Sequence, residues 1–304
     1  MNISKLNTEQ QNPKTLNIDL MTTEDIITVI NQEDTLVPNV IARQVPVIAE
    51  VVDRIIAAFK QGGRLIYVGA GTSGRLGIID ASECPPTFGT DPGLIVGVIA
   101  GGKEAMTEAI EGVEDDTQQG KADMEDISVS ANDIVIGIAA SGRTPYTIGA
   151  LENAKQLGAL TVSIVCSKDS EMEKISDYTI AAVVGPEVIT GSTRMKAGTA
   201  QKLILNMLTT ASMVKMGKVY GNLMVDVQMT NEKLHSRAAN IVKMATGASD
   251  EEARSAIKEQ NYHTKAAILQ IITGLQGTEA KSLLEKHDGY LREAISEYYN
   301  SSTK

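Results

Sequence analysis

Apolar residues in the middle of the chain fall into five short runs, separated by longer helical or glycine-rich segments. In chain order the runs are RLIYV, LIVGVI, DIVIGIA, LTVSIV and DYTIAAVV. β-Branched residues are frequent in all five, and the first four are almost wholly apolar, which is typical of strands covered on both faces. Their alternation with helical segments predicts an α/β fold with a doubly wound, mainly parallel five-stranded sheet.

Helical patterns flank these runs on both sides. Upstream, Ile48, Val52 and Ile55 recur at helical spacing until Gly62 ends the pattern, which predicts N-terminal helices. Downstream, the segment KAGTAQKLILNMLTTASMVKMG predicts one long helix with an apolar face. The pattern therefore places the sheet between two helical regions.

The C-terminal part of the chain contains a repeat with an offset of 27 residues. The offset pairs Gly247 with Gly274 and Ala267 with Ala294, and each unit has the pattern of two short helices. We therefore expect a small helical, UBA-like repeat as an appendage over residues 247–304. Residues 1–62 are expected to form a helical arm packed on the core, and residues 63–246 a phosphate-binding sheet domain.

Composition and charge exclude several classes of function. The chain has 304 residues and a net charge of −10, which disfavours nucleic acid or an anionic membrane as a partner. No apolar stretch reaches the roughly 18 residues of a membrane span, and the polar start lacks the apolar core of a secretory signal. Only two cysteines occur, which is typical of a reducing compartment, so we expect a cytoplasmic protein.

Three predicted strand-to-helix junctions combine glycine with serine or threonine. They are GAGTSG (69–74), AASGRTPY (139–146) and ITGSTRMKAGTA (189–200). One such hydroxyl is usually a plain helix cap, but three junctions at one end of a sheet favour an oxyanion site. The candidate phosphate-binding hydroxyls are those of Thr72, Ser73, Ser141, Thr144, Ser192 and Thr193. Arg143 and Lys196 are candidates to pair with a phosphate or a carboxylate.

The first junction also has the G-x-G-x-x-G spacing of a dinucleotide-binding loop, through Gly69, Gly71 and Gly74. A dinucleotide site needs an acidic residue about 20 residues further on to hold the ribose. The first acid after the second strand, Glu104, comes about 30 residues after the loop, so we expect no dinucleotide. The glycines are expected to let the backbone approach one compact phosphate. The three histidines lie far apart along the chain, and we predict no metal site.

The longer motifs resemble a known family. GAGTSGRLG with ASGRTP resembles the SIS (sugar isomerase) fold, a phosphosugar-binding domain. The stretches GAGTSGRLGIIDASECPPTFG, GIAASGRTPY and TGSTRMKAGTAQK resemble the N-acetylmuramic acid 6-phosphate etherases. The similarity runs from TEQQNP through the C-terminal repeat. Gln11 departs from the pattern, since the family usually carries arginine there.

The resemblance implies an enzyme of cell-wall recycling and amino sugar catabolism that needs no cofactor. Such enzymes cleave the D-lactyl ether of N-acetylmuramic acid 6-phosphate and yield N-acetylglucosamine 6-phosphate and D-lactate. Glu83 and Glu114 match glutamates implicated in the family, and the chemistry needs two acid–base groups. Our assignment is Glu83 as the acid that protonates lactate and Glu114 as the base at C2, although the sequence also permits the reverse.

The resemblance further implies a homodimer whose active site lies near the subunit interface. Two alternatives remain open from the sequence. A phosphosugar isomerase needs one base to move a proton between C1 and C2, and SIS domains host that chemistry too. A non-catalytic phosphosugar sensor is the other alternative, in which the C-terminal repeat would dock a partner.

Overall fold

The computed structural model describes residues 7–226 and 232–302. Its main sheet contains five parallel strands in the order β2-β1-β3-β4-β5. The strands are β1 (Leu65–Gly69), β2 (Ile95–Ile99), β3 (Ile134–Ala139), β4 (Leu160–Val165) and β5 (Tyr178–Ala181). All five coincide with the apolar runs, so the predicted doubly wound sheet is confirmed.

Helices precede, separate and follow the strands. Those of the first two thirds of the chain are α1 (Thr23–Asp34), α2 (Val37–Ala42), α3 (Val45–Lys60), α4 (Gly71–Phe88), α5 (Thr117–Asp126), α6 (Pro145–Gln156), α7 (Glu171–Ile175) and α8 (Lys196–Lys215). Short 3₁₀ turns occur at Asn7–Glu9, Pro13–Thr15, Ile18–Leu20, Gly102–Met106 and Val113–Asp115. The predicted N-terminal helices are present, and α3 packs against β1, β3 and β5.

The two central strands account for the apolar pattern of the sequence. Every residue of β1 and of β3 is buried, because helices cover both faces of the sheet there. Helix α8 is fixed to the sheet side of α4 through the buried Asp80 carboxylate. Asp80 accepts hydrogen bonds from Asn206 Nδ2 (2.7 Å), Tyr67 OH (3.1 Å) and Thr209 Oγ1 (3.2 Å). One carboxylate thus ties β1, α4 and α8 together.

The order of the strands creates a crevice at one edge of the sheet. After β1 the chain adds β2 on one side, and it then returns to add β3 on the other side of β1. The connections that leave β1 and β3 therefore diverge at their carboxyl ends. Ligands of open α/β sheets bind at such a point, because the diverging loops leave a space between them.

Packing divides the chain into two compact units. The first unit is Met1–Ser82 with Pro92–Thr209, and the second is Glu83–Asp91 with Thr210–Lys304. Helix α9 (Glu232–Thr246) belongs to the second unit, where it shares an apolar cluster with the C-terminal helices. Ala238 and Val242 of α9 are buried in that cluster beside Ile268 and Leu284.

The second unit contains the predicted repeat as two pairs of helices. They are α10 (Asp250–Glu259), α11 (Thr264–Thr273), α12 (Thr278–Lys286) and α13 (Leu291–Ser302), preceded by a short hairpin of β6 (Val219–Tyr220) and β7 (Leu223–Met224). Gly247 and Gly274, which the repeat pairs, have φ angles of +76° and +78°. Each glycine follows the last residue of a helix, where a left-handed residue ends the helical hydrogen bonding.

No helix within residues 7–226 and 232–302 combines the length and the apolar character needed to cross a membrane.

A buried ion pair joins the amino ends of β1 and β3. Asp133 Oδ2 lies 2.8 Å from Arg64 Nη2, and Asp133 Oδ1 accepts from the Arg64 backbone N–H at 2.8 Å. The Ser130 N–H donates to the same carboxylate at 2.9 Å. Burial alone would raise the pKa of Asp133, but the hydrogen bonds from Arg64 and Ser130 outweigh burial and hold this pKa below its ordinary value.

We expect Asp133→Asn to lower the free energy of unfolding at pH 7 by about 1.5–3 kcal/mol, since it removes charged hydrogen bonds. Because the folded-state pKa of Asp133 is lowered, its contribution is present above the unfolded pKa of about 4 and is lost as pH falls through the folded value. Urea unfolding at pH 7 and at about pH 3 measures both effects. A variant that loses as much stability on acidification as the wild type would contradict the assignment.

Candidate active site

A cavity of about 370 Å³ lies at the carboxyl ends of β1 and β3, within the first unit. Its walls come from segments that are far apart in the sequence. They are the N-terminal arm (Thr8 and Glu9), the β1–α4 junction, the segment 105–114, the β3–α6 junction and the loop that contains Gly191 and Thr193. The cavity therefore occupies the crevice that the strand order creates.

Five of the predicted phosphate-binding hydroxyls line this cavity together. They are those of Thr72, Ser73, Ser141, Thr144 and Thr193. The helices α4 and α6 both begin at this cavity, so their first backbone N–H groups and positive dipole ends are directed toward it. This combination is well suited to an anion with several acceptor oxygens.

The β3–α6 junction keeps its polar groups available. Thr144 occupies the cap position of α6, and within the described residues its hydroxyl makes no capping hydrogen bond. Pro145 begins the helix, where the missing N–H removes no helical hydrogen bond. Ser141 Oγ accepts from the Arg143 backbone N–H at 3.3 Å, which leaves the Ser141 hydroxyl proton for another acceptor.

The glycines of the β1–α4 junction have two different roles. A Cβ on Gly74 would lie 2.6 Å from the Gly69 carbonyl oxygen and 2.6 Å from Ile99 Cγ1, and a Cβ on Gly69 would lie 2.8 Å from Ile138 O. These two glycines therefore let the start of α4 pack against the strands. Gly71 differs, since its φ is +53° and nothing lies within 4 Å of its Cβ position. The sequence prediction assigned all three to phosphate approach, whereas only Gly71 lies in open space.

Ser73 is held by the long helix α8. It is buried, and its Oγ donates to Gln201 Oε1 at 2.9 Å. The hydroxyl proton is therefore directed at Gln201 in this arrangement, while the Ser73 backbone N–H lies in the open first turn of α4.

Four glutamates also line the cavity: Glu9, Glu108, Glu111 and Glu114. Glu114 is half-buried in the 3₁₀ turn Val113–Asp115, directly after Gly112 (φ +84°). The neighbouring Asp116 accepts from the Gln119 N–H and caps α5, which fixes the chain immediately after Glu114.

Arg75 anchors the wall that leads to Glu114. Its Nε donates to the carbonyl oxygens of Ala105 (2.9 Å) and Met106 (3.2 Å), and its Nη2 donates to Glu108 O at 2.8 Å. Three carbonyls are thus fixed by one side chain of α4. In the sequence, Arg75 stands out only as part of the motif GAGTSGRLG. The carbonyl groups that it binds belong to the backbone and leave no sequence pattern, so this contact was not predicted.

Three family models match the chain. One described as the N-terminal SIS domain of glucokinase regulatory protein covers residues 47–155, and the SIS domain model covers residues 113–211. The third, described as the C-terminal lid domain of glucokinase regulatory protein, covers residues 221–274. The parallel sheet, with the cavity at the carboxyl ends of β1 and β3, is thus an SIS domain.

Curated relatives match over nearly the whole length. The N-acetylmuramic acid 6-phosphate etherase of Caldanaerobacter subterraneus subsp. tengcongensis is 55% identical over 97% of this chain and 96% of its own length. The N-acetylmuramic acid 6-phosphate etherase 2 of Vibrio cholerae is 54% identical over 97% of this chain and 96% of its own length. The chain belongs to the N-acetylmuramic acid 6-phosphate etherase family. The resemblance inferred from the three long motifs is therefore confirmed.

Some of the residues nominated for the etherase site lie elsewhere. Among the described residues that line the cavity, Glu83, Arg143, Ser192 and Lys196 do not occur. Glu83 is exposed on α4, 12 positions after Gly71. The described cavity lining thus includes Glu114 but not Glu83.

Lys196 has a different partner from the ligand that we expected. It is only 2% exposed, and its Nζ lies 2.5 Å from Glu33 Oε2. Its backbone N–H donates to the buried Glu187 carboxylate at 3.0 Å, as does that of Ala197 at 2.9 Å. Burial raises the pKa of Glu187 in spite of these two N–H donors. The positive charge of Lys196 is therefore paired with the Glu33 carboxylate inside the protein.

We expect Gly74→Ala to lower the free energy of unfolding by about 1–3 kcal/mol, because the new methyl group would overlap the Gly69 backbone. Gly198→Ala is the matched control. A Cβ on Gly198 would meet Thr72 Cγ2 at 3.5 Å, an ordinary contact, and α8 would gain a better helix former. Urea unfolding of both variants measures the difference, and equal stability of the two would contradict the packing role of Gly74.

Proposed function

We propose that the protein cleaves the D-lactyl ether of N-acetylmuramic acid 6-phosphate. One observation carries the proposal. A single cavity of about 370 Å³ is lined by Glu114 and by the serine and threonine residues of the β1–α4 and β3–α6 junctions. The relatives that bear the etherase name are more than half identical to this chain over nearly all of it, which supports the same substrate here.

The phosphate would bind where α4 and α6 begin. Thr72, Ser141, Thr144 and Thr193 would donate hydroxyl hydrogen bonds, and the first N–H groups of both helices would add theirs. The binding relies on local dipoles, so it is compatible with the net charge of −10. The sugar carbons C2 and C3 would then lie toward the wall that carries Glu114.

The reaction would follow from acid–base chemistry without a cofactor. In the open-chain sugar, the Glu114 carboxylate removes the C2 proton, and the electron pair forms an enolate with the C1 aldehyde. The enolate then expels the lactyl oxygen from C3, and Glu83 supplies the proton that lactate takes up. Water adds back at C3 while a proton returns to C2. The balance is one substrate and one water to one N-acetylglucosamine 6-phosphate and one D-lactate.

A homodimer would resolve the position of Glu83. Because Glu83 is exposed and is not part of the described cavity lining, a second copy would bring it to the cavity of its partner. Two large exposed apolar side chains support an interface. Ile79, one turn before Glu83, is 51% exposed, and Met207 on the adjoining helix α8 is 39% exposed. We therefore propose an isologous dimer with two active sites near its interface.

We also place the reaction in the cytoplasm. Cys166 is fully buried, and burial with the nearby Glu187 charge raises the pKa of its thiol to about 12. The thiol is thus protonated at neutral pH, and its Sγ lies 3.9 Å from Ala197 O. A chain of 304 residues with two cysteines fits a reducing compartment.

The purified protein is expected to release D-lactate from N-acetylmuramic acid 6-phosphate, and Glu114→Gln should lower the rate at least about a hundredfold. A coupled lactate dehydrogenase assay measures both rates. The matched control is Asp115→Asn, since Asp115 is exposed beside Glu114 but is not part of the described cavity lining. Deuterium incorporation at C2 should be lost in Glu114→Gln and retained in Glu83→Gln if their roles are as assigned.

Two outcomes would overturn this function. A folded wild-type protein that binds the phosphosugar and releases no lactate would exclude the etherase reaction. If that protein instead converted an aldose phosphate to its ketose isomer, the function would be isomerisation.

The shared site is testable by mixing two inactive variants. Glu83→Gln and Glu114→Gln homodimers should each lack activity. After dissociation and reassociation, each mixed dimer would contain one intact site, so random exchange should restore about a quarter of the wild-type rate. No recovery, with exchange demonstrated by differently tagged subunits, would mean that both glutamates act within one chain.

A further inference from the structure

The N-terminal arm supplies a carboxylate to the cavity that neither the motifs nor the acid–base chemistry assigns. Glu9 lies in the 3₁₀ turn Asn7–Glu9 and lines the same space as Ser141, Thr193 and Glu114. It is half-buried, and its Oε2 lies 3.3 Å from the Cβ position of Gly191. The carboxylate therefore lies against the loop that ends in Thr193.

The chemistry of a carboxylate restricts what Glu9 can bind. An ionised carboxylate only accepts hydrogen bonds. The phosphate and the lactyl carboxylate of the substrate are anions, so Glu9 repels both of them. The remaining groups of the phosphosugar that Glu9 can contact are neutral donors, namely sugar hydroxyls and the amide N–H.

A buried network holds the arm that carries Glu9. Asn12 is 4% exposed, and its Nδ2 donates to Glu33 Oε2 at 2.9 Å and to Pro186 O at 3.3 Å. The same Glu33 oxygen lies 2.5 Å from Lys196 Nζ. Asn12 is thus connected through one oxygen atom to the first residue of α8.

The network contributes more to the position of the N-terminal arm than to the free energy of unfolding. Glu33 and Lys196 are both nearly excluded from water, and a buried ion pair must retain its partners to offset desolvation. Burial would raise the pKa of Glu33, but the Lys196 and Lys14 ammonium groups and Asn12 outweigh it and lower the pKa. Glu33 is therefore a charged acceptor that needs the hydrogen bond from Asn12. This bond holds the arm in one position at Asn12, which lies three residues after Glu9.

We infer that Glu9 is a sugar-binding residue of the active site, and that Asn12 and Glu33 position it. Glu9 accepts a hydrogen bond from a hydroxyl or the amide N–H of the phosphosugar while the two helix N-termini hold the phosphate. The inference rests on the proposed function for the identity of the sugar. It makes the arm part of the binding site.

The first experiment separates sugar binding from phosphate binding. Glu9→Gln should weaken binding of N-acetylglucosamine 6-phosphate by about 10- to 100-fold, the usual loss for a charged hydrogen bond. Binding of inorganic phosphate should stay the same or tighten, since a nearby negative charge is removed. Titration calorimetry with both ligands measures this difference. Glu24→Gln is the control, because it makes the same charge change at an exposed residue of α1.

Two results would overturn the role of Glu9. Unchanged affinity for the sugar phosphate would mean that Glu9 does not contact the sugar. An equal loss of affinity for both ligands would mean that Glu9 affects the phosphate loops.

The second experiment tests positioning by a double-mutant cycle. Asn12→Asp keeps the size of the side chain but replaces the donor with an acceptor facing Glu33 and Pro186 O, so the arm should lose its docked position. Affinity for the sugar phosphate should then fall about as far as in Glu9→Gln. In a Glu9→Ala background the same substitution should add almost no further loss. Asn17→Asp is the matched control, since Asn17 is an exposed residue of the same arm.

Full additivity of the two substitutions would show that Asn12 does not act through Glu9. The binding measurements on Glu9→Gln also test this inference separately from the proposed etherase reaction. Failure of lactate release by the wild type overturns the proposed function, while normal sugar-phosphate affinity in Glu9→Gln overturns only this inference.

Discussion

The cavity at the carboxyl ends of β1 and β3 depends on how closely α4 approaches the sheet. The Gly69 carbonyl and the Gly74 backbone leave no space for a side chain between them, and Gly97 of β2 is equally close to Ile78 of α4. This contact places the first turn of α4 at the end of β1, beside the junction that follows β3. It also sets the position of Arg75, whose guanidinium fixes the opposite wall. A larger residue at the contact would move the helix dipole and the wall together.

The cavity combines a floor that is suited to an anion with acidic walls. The floor consists of hydroxyls and helix N-termini, whereas four glutamates line the same space. Backbone dipoles are fixed by the fold and carry no net charge, so they attract a phosphate without neutralising the nearby carboxylates. The buried Lys196 and Glu33 charges are matched with each other, which preserves this separation. In the proposed reaction, the acidic groups would therefore stay available for proton transfer close to the phosphate of the substrate.

The strands, and the junctions that line the cavity, were predictable because both depend on local chemistry. Fully buried strands must be apolar, and a junction that meets an anion needs small residues and hydroxyls. Lys196 was a candidate to pair with a phosphate or a carboxylate because it follows a loop rich in glycine and hydroxyl residues. The structure pairs it with Glu33, which lies 163 residues away in the sequence, so no local motif contains both residues. Glu9 was missed because a short 3₁₀ turn has no periodicity, and its function comes only from where the arm docks.

The arm also differs from the sheet in how freely its sequence can change. Residues of β1 or β3 contact helices on both faces, so a substitution there disturbs several neighbours at once. Glu9 belongs to a turn near one end of the chain, and the arm is fixed downstream of it at Asn12. A new side chain at position 9 can therefore be accommodated without repacking the core. Within this architecture, the preference for different sugars has a place to evolve that is separate from the stability of the fold.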